Sequence, residues 1–149
     1  MKIAIAKETD AGEPRVAATP ETVKKFIVLG AEVFVARGAG VASGILDADY
    51  EAAGATVGDD VGKSADLVLK VRRPEAKELA GYKKGALVIA IMDPYGNEAA
   101  LKQMAQAGLI AFAMELMPRI TRAQSMDVLS SQANLAGYRA VIEGAEEYG

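Results

Sequence analysis

The stretch DLVLKV, residues 66–71, decides the fold. It is a nearly continuous apolar run of strand length. Successive strand side chains point to opposite faces, so apolar residues at almost every position require cover on both sides. That is the condition of a parallel strand inside a layered α/β domain. Working outward, Lys2 to Ala6 alternates and reads as a strand, and Glu32 to Ala36, Ala86 to Ile91 and Leu109 to Ala113 read likewise. Helix signals lie between them. Thr19 caps a helix with Pro20 at its first position, running through Val23, Phe26 and Ile27 and stopping at Gly30. Asp47 begins a short helix, DADYEAAG, ended by Gly54. Glu75 to Leu79 is a weak helix, and Asn97 to Ala107 a firmer one with apolar Leu101, Met104 and Ala105, ended by Gly108. This alternation predicts an α/β domain with a doubly wound, mostly parallel sheet of Rossmann-like or flavodoxin-like type.

The bulk composition narrows the chemistry. A chain of 149 residues is the size of one domain and can bury a full core. A net charge of −3 provides no general footprint for nucleic acid or an anionic membrane. There is no cysteine, hence no disulfide and no thiolate chemistry. There is no histidine, which removes the commonest general base and the commonest metal ligand, so no metal site is expected. The opening MKIAIAKE is too short an apolar run for a signal peptide. The longest apolar stretch, Ala86 to Met92, is far below the ~20 residues that span a bilayer, so direct membrane insertion is not expected.

Gly38, Gly40 and Gly44 follow a strand, but their spacing is GxGxxxG and the next helix signal is Asp47. Dinucleotide binding needs a helix N-terminus directly behind the glycines. The segment therefore reads as a turn-rich loop, and the dinucleotide fingerprint is lacking.

The chemistry concentrates near the C-terminal end, in ELMPRITRAQSMDVLSSQANLAGYRAV, residues 115–141. Arg119, Gln124, Asp127 and Ser130 offer a planar cationic fork, an amide, a carboxylate and a hydroxyl. That set can hydrogen-bond a carboxamide and ribose hydroxyls, and nothing in it titrates near pH 7. The plainer reading is a polar loop leading into the final helix, with Ser130 or Ser131 as its cap. That helix is expected from about Ser131 to Tyr148. Leu135, Tyr138, Ile142 and Ala145 form an apolar stripe along it, and Ala133, Gly137, Ala140 and Gly144 a second stripe of small residues. The two stripes lie on different sides, so one of them should meet another copy or a further domain.

The 115–141 segment resembles the loop, known by its Arg-Gln-Asp signature, of the NAD(H)-binding alpha subunits of proton-translocating NAD(P) transhydrogenases. Arg119, Gln124 and Asp127 stand at that family's spacing of five and three, with Ser130 three further on. The flanks Met114 to Pro118 and Asn134 to Arg139 match too, as do Lys7 with Glu8, Arg15 to Ala17 and Gly38 to Gly40. The resemblance covers nearly the whole chain. It implies a first domain over residues 1–149, with an NAD-binding Rossmann domain expected to follow and a later segment returning to complete the first. It implies hydride transfer between NAD(H) and NADP(H) coupled to proton translocation. By the same resemblance Gln124 and Asp127 are the catalytic positions, and Arg119, Gln124, Asp127 and Ser130 contact the cofactor. NAD(H) would sit on the complete subunit and NADP(H) on a partner component. The implied partners are a second copy of the subunit and the membrane-spanning and NADP(H)-binding components. The implied place is the cytoplasm, peripheral to the inner membrane. The 149-residue chain alone is expected to bind NAD weakly and to be inert.

Alanine dehydrogenases share the N-terminal pieces. In them the arginine corresponding to Arg15 holds a substrate carboxylate, a lysine stands in a Lys-Val-Lys-Glu-Pro run, and a catalytic histidine follows the fourth strand. Here the run is Lys70-Val71-Arg72-Arg73-Pro74, and Asp93 stands nearest the histidine's place. The proton carriers of an oxidative deaminase are missing. A non-catalytic interaction module that pairs through its last helix is the other alternative.

Overall fold

The computed structural model describes residues 1–148; Gly149, the end of the expected domain, lies outside them. The chain divides into two compact units, Met1–Ala113 and the residues from Met114 onward. In the first unit six strands form one sheet: β1 (Lys2–Ile5), β2 (Glu32–Ala36), β3 (Thr56–Gly58), β4 (Leu67–Arg72), β5 (Leu87–Ile91) and β6 (Ile110–Ala113). Their order is β3-β2-β1-β4-β5-β6 and every pairing is parallel. Three helices alternate with them: α1 (Pro20–Val28), α2 (Asp47–Ala52) and α3 (Glu98–Gln106). This is the doubly wound α/β sheet that the strand–helix alternation predicts.

The local signals explain the elements. The Thr19 side chain accepts the Thr22 N–H with Pro20 inside the first turn, and Gly30 just beyond the helix adopts φ +86°, a backbone conformation that residues with a side chain rarely take. Two elements of this unit differ from expectation. β3 has only three residues, too few to show alternation, and is held as an edge by pairing with β2. The segment expected as a helix over Glu75 to Leu79 is a 3-10 stretch, Ala76–Gly81. Its backbone is tightened by the Glu78 carboxylate, which accepts the Glu75 N–H at 2.7 Å.

Registry carries side chains across the sheet in rows. Val33, Ile3, Leu67, Leu87 and Ile110 lie side by side, and the next row on that face is Val35, Ile5, Leu69, Ile89 and Phe112. On this face α1 and α2 cover the β1–β2 half, where Ile5, Val33, Val35, Val23 and Tyr50 make one core. The β4–β6 half is more open: Leu67, Leu69, Leu87 and Ile89 are half-buried, and Ile110 and Phe112 are exposed. On the opposite face Ala4, Val68, Val88, Ala90 and Met92 pack with Met104 of α3 in a second core. The strand order, built outward one way to β3 and the other way to β6, reverses between β1 and β4, and a crevice at such a switch point is where open α/β sheets place ligands.

The second unit contains 3-10 stretches over Met114–Leu116 and Thr121–Met126, then α4 (Val128–Glu147). α4 starts three residues earlier than expected. Its cap is Asp127, whose carboxylate accepts the N–H groups of Leu129 and Ser130, and neither Ser130 nor Ser131 caps it. No residue of α4 is buried, and Leu135, Tyr138 and Val141 are all exposed. Nothing stands within 4 Å of where a Cβ would be at Gly137 or Gly144. Among the described residues no helix is long and apolar enough to cross a membrane.

Gly40 shows how tightly the first unit is packed. A Cβ there would lie 2.8 Å from the Tyr50 ring and 2.9 Å from the Ile45 carbonyl oxygen. Tyr50 cannot yield cheaply, because it is fully buried and its hydroxyl donates to the Ala18 carbonyl at 2.8 Å. Gly40→Ala is expected to cost ~1–3 kcal/mol by overpacking, read from the midpoint of urea unfolding.

Candidate functional site

The structure brings the four sequence-singled residues together. Arg119, Gln124, Asp127 and Ser130 line one cleft of about 400 Å³, with Ala123 as its buried member. The backbone explains the convergence. The 3-10 stretch Thr121–Met126 shortens the path from Arg119 to Asp127, and the Ala123 N–H closes on the Ile120 carbonyl at 2.9 Å. The Asp127 N–H then returns to the Gln124 carbonyl at 3.3 Å. Asp127 ends the turn and begins α4, and Ser130 follows within its first turn. The Asp127 carboxylate accepts the Ser130 hydroxyl at 2.6 Å. Its pKa lies below the ordinary value, chiefly through that hydroxyl, then through the Ser130 and Leu129 N–H groups, with Arg119 adding its charge. The cleft therefore holds an ionised carboxylate, a guanidinium, an amide and a hydroxyl. It can bind and orient polar groups, and it has no side chain that exchanges a proton near pH 7.

A second cleft, about 460 Å³, opens in the first unit at the strand-order reversal. Glu8, Thr9, Asp10, Ala11, Arg72, Arg73, Glu75, Ile91 and Asp93 line it. Beneath it lies a charged network. The Lys70 ammonium, 1% exposed, donates to Glu78 at 2.7 Å and to the Lys7 carbonyl at 3.1 Å, and stands 3.8 Å from Glu8. Glu8 accepts the Val71 N–H at 2.7 Å, and burial raises its pKa above the ordinary value. Beside this group Glu13 is 2% exposed and joins two guanidiniums. Arg15 grips it through Nε and Nη2, both at 2.6 Å, and Arg72 donates its Nε–H at 3.0 Å.

The alanine dehydrogenase positions are thus clustered in space but differently committed. Arg15 and Arg72 share the protein's own Glu13. Asp93 has φ +47°, a strained value for a residue with a side chain. Arg73 holds that turn by donating to the carbonyls of Met92 and Asp93, and Asn97 donates to Asp93 as well. The Gly38–Gly44 loop is a turn: the Gly38 N–H donates to the Asp47 carboxylate at 2.8 Å, and Val41–Ser43 is a single 3-10 turn. Sequence reading missed Glu8, Glu13 and Glu78. The available signal was Lys70, a charge inside an apolar strand at the same parity as buried Val68, which requires partners in the interior. Among the described residues no His, Cys, Asp or Glu group able to hold a metal ion gathers.

Comparison with known proteins adds four findings. Residues 4–136 match the family model described as alanine dehydrogenase/PNT, N-terminal domain. The chain is similar to an NAD(P) transhydrogenase alpha-subunit protein of Rhodospirillum rubrum, 49% identical over 99% of this chain and 41% of that protein. It thus spans about two fifths of that relative's length. It also superposes on a solved transhydrogenase structure from Sinorhizobium meliloti with a TM-score of 0.95 and 64% identity, covering 99% of this chain and 45% of that one. A solved L-alanine dehydrogenase is more distant, with a TM-score of 0.73 and 31% identity over 77% of this chain and 32% of that one.

The Glu13 cluster has a defined pH signature. The Arg15 guanidinium, helped by Arg72 and opposed by burial, holds the Glu13 pKa at about 2 against an ordinary 4.5. A depressed folded-state pKa contributes stability that is complete above about pH 4.5 and is lost as pH falls toward 2. Both guanidiniums are partly open to solvent, so roughly 1–2 kcal/mol is expected after screening. Glu13→Gln should lower stability by that amount at pH 7 and flatten its fall between pH 4.5 and 2, measured by denaturant unfolding across that range.

Proposed function

This chain belongs to the alanine dehydrogenase/PNT N-terminal domain family, and on that premise we propose that it is the first domain of an NAD(H)-binding transhydrogenase subunit. The observation that carries the reading is the convergence of Arg119, Gln124, Asp127 and Ser130 on one cleft without a histidine anywhere in the chain. Hydride passing directly between two nicotinamide rings protonates nothing. The task left to the protein is to hold the rings close and correctly faced. The donor set fits that task. Arg119 donates only, Asp127 accepts only, and Gln124 does both, which suits a carboxamide and ribose hydroxyls. When bound, the dinucleotide supplies the hydride chemistry. Gln124 and Asp127 are the members of the set proposed to act nearest the reacting rings.

In this reading NAD(H) belongs to the complete subunit and NADP(H) to a partner component that meets the 119–130 loop. The complete enzyme couples hydride transfer to proton translocation through a membrane-spanning component. The subunit works as a homodimer on the cytoplasmic side of the inner membrane, held there by its partners. The alanine dehydrogenase alternative is weaker on chemical grounds. Its reaction needs a proton carrier at the amine, and the arginine that would hold the substrate is gripped by Glu13.

Two measurements test the reading. The first uses a chimera in which this chain replaces the matched region of the Rhodospirillum rubrum relative, assembled with its partner components. There Gln124→Asn should slow hydride transfer about 100-fold, because misplacement by ~1 Å costs that much, with a much smaller loss of NADH affinity. Equal losses, or an unchanged rate, would count against positioning by Gln124. In the second, calorimetric titration of the 149-residue chain alone should give a dissociation constant for NADH weaker than ~10 μM, since tighter binding requires ~7 kcal/mol and a phosphate cradle.

A further inference from the structure

Residues 8–13 run along the cleft at the strand-order reversal, with Glu8, Thr9, Asp10 and Ala11 in its lining. The segment is neither helix nor strand, and Thr9 to Gly12 are exposed. Its two ends are anchored: the Glu8 and Glu13 side chains are 5% and 2% exposed. Between them a tight turn keeps the segment stiff, because the Asp10 carboxylate accepts the Gly12 N–H at 2.8 Å and the Asp10 carbonyl the Glu13 N–H at 3.0 Å.

The two anchors differ in charge balance. At one end the single carboxylate of Glu13 meets two guanidiniums, Arg15 and Arg72, and the Ser43 hydroxyl holds the next carbonyl, that of Pro14, at 2.6 Å. At the other end two carboxylates share one ammonium. Lys70 donates to Glu78 at 2.7 Å and leaves Glu8 3.8 Å away. Glu8 is otherwise held by the Val71 and Arg72 N–H groups, at 2.7 and 3.3 Å. The surroundings do not restore the balance. Asp10, Glu75 and Asp93 add negative charge along the cleft, Arg73 points at the Met92 and Asp93 carbonyls, and the Tyr82 hydroxyl donates to Glu78. Arg15 lends Glu8 its charge while gripping Glu13. An ionised Glu8 is thus a buried charge without a full counter-charge, which is costly.

We propose that residues 8–13 are a strap along this cleft, hinged at Glu13 and latched at Glu8, and that a proton on Glu8 tightens the latch. A protonated Glu8 still accepts the Val71 N–H through its carbonyl oxygen, and it no longer buries a surplus charge. Burial, with Glu78 and against the N–H groups and Lys70, raises the pKa of the latched side chain above 4.5; released into water it regains the ordinary value. The latched state therefore binds the proton more tightly, and release is favoured as pH rises through the latched pKa. Glu13, held at about 2, stays ionised and attached throughout that range. The cleft is closed along this side in acid and more readily opened toward neutral pH.

NMR of the 149-residue chain tests this. The Glu8 carboxyl carbon should titrate above pH 4.5. Across the same midpoint, protection of the Val71 and Arg72 amides, corrected for the intrinsic pH dependence of exchange, should fall as pH rises. The Arg15 amide, which donates to Glu13, serves as the hinge control and should show no step. Glu8→Gln, neutral at every pH, should abolish the step at Val71. Glu78→Gln leaves Lys70 to Glu8 alone, so it should lower the Glu8 midpoint and shrink the step. Protection at Val71 that is flat or rises with pH, or a Glu8 midpoint at or below 4.5, would overturn the proposal. So would a matching step at Arg15, which would mean that the whole unit loosens. A Glu8 midpoint unmoved by Glu78→Gln would overturn it as well. Should Glu8→Gln fail to fold, the unsubstituted chain and Glu78→Gln still decide.

Discussion

The buried ammonium of Lys70 is the interaction on which the open end of the sheet depends. It sits 1% exposed between Glu78 and Glu8, with the Lys7 carbonyl as a further acceptor. Burying a charge is costly unless it is paired and hydrogen-bonded, and removing one partner leaves the other stranded. Lys70 therefore obliges three pieces of chain to stay together: the segment leaving β1, the end of β4, and the 3-10 stretch carrying Glu78. Glu8 answers from the other side by accepting the Val71 N–H, where β4 shifts register against β5. Glu13 repeats the principle next door, holding Arg15 and Arg72 to one carboxylate. The crevice at the strand reversal is thus walled by charges already satisfied internally.

The cleft on the 119–130 segment is built differently. Its bonds are local, spanning four residues or fewer, and its side chains are mostly exposed. Such a site depends on a turn and a helix start, so its geometry follows from whether Asp127 caps α4. A site made this way can orient a polar group but has no side chain suited to proton transfer near pH 7. The two clefts differ in what they offer. Beside the first, Arg15 and Arg72 are spent on the protein's own Glu13. The second offers orientation without titration.

α4 and the β4–β6 face share a property that composition alone does not reveal. Leu135, Tyr138 and Val141 on the helix, and Ile110 and Phe112 on the sheet, are exposed.

The sequence by itself determined the strand–helix alternation, because apolar periodicity and capping residues are local and 66–71 has the length and near-continuous apolar character of an interior strand. It determined the candidate loop as well, because Arg119, Gln124, Asp127 and Ser130 are close along the chain and a turn suffices to gather them. It also excluded histidine and thiolate chemistry outright. Tertiary structure alone decided what distance in sequence conceals. β3 became a strand only by pairing with β2, its three residues having no periodicity of their own. Glu8 became a partner of Lys70 only when β1 and β4 were laid side by side, and Glu78 only when the 3-10 stretch after β4 folded back toward it. The α4 cap passed to Asp127 because three acceptor bonds at the turn outcompete the single hydroxyl that Ser130 or Ser131 could offer. Local propensity is written in neighbouring residues; the pairing of buried charges is settled by which strands the topology makes adjacent.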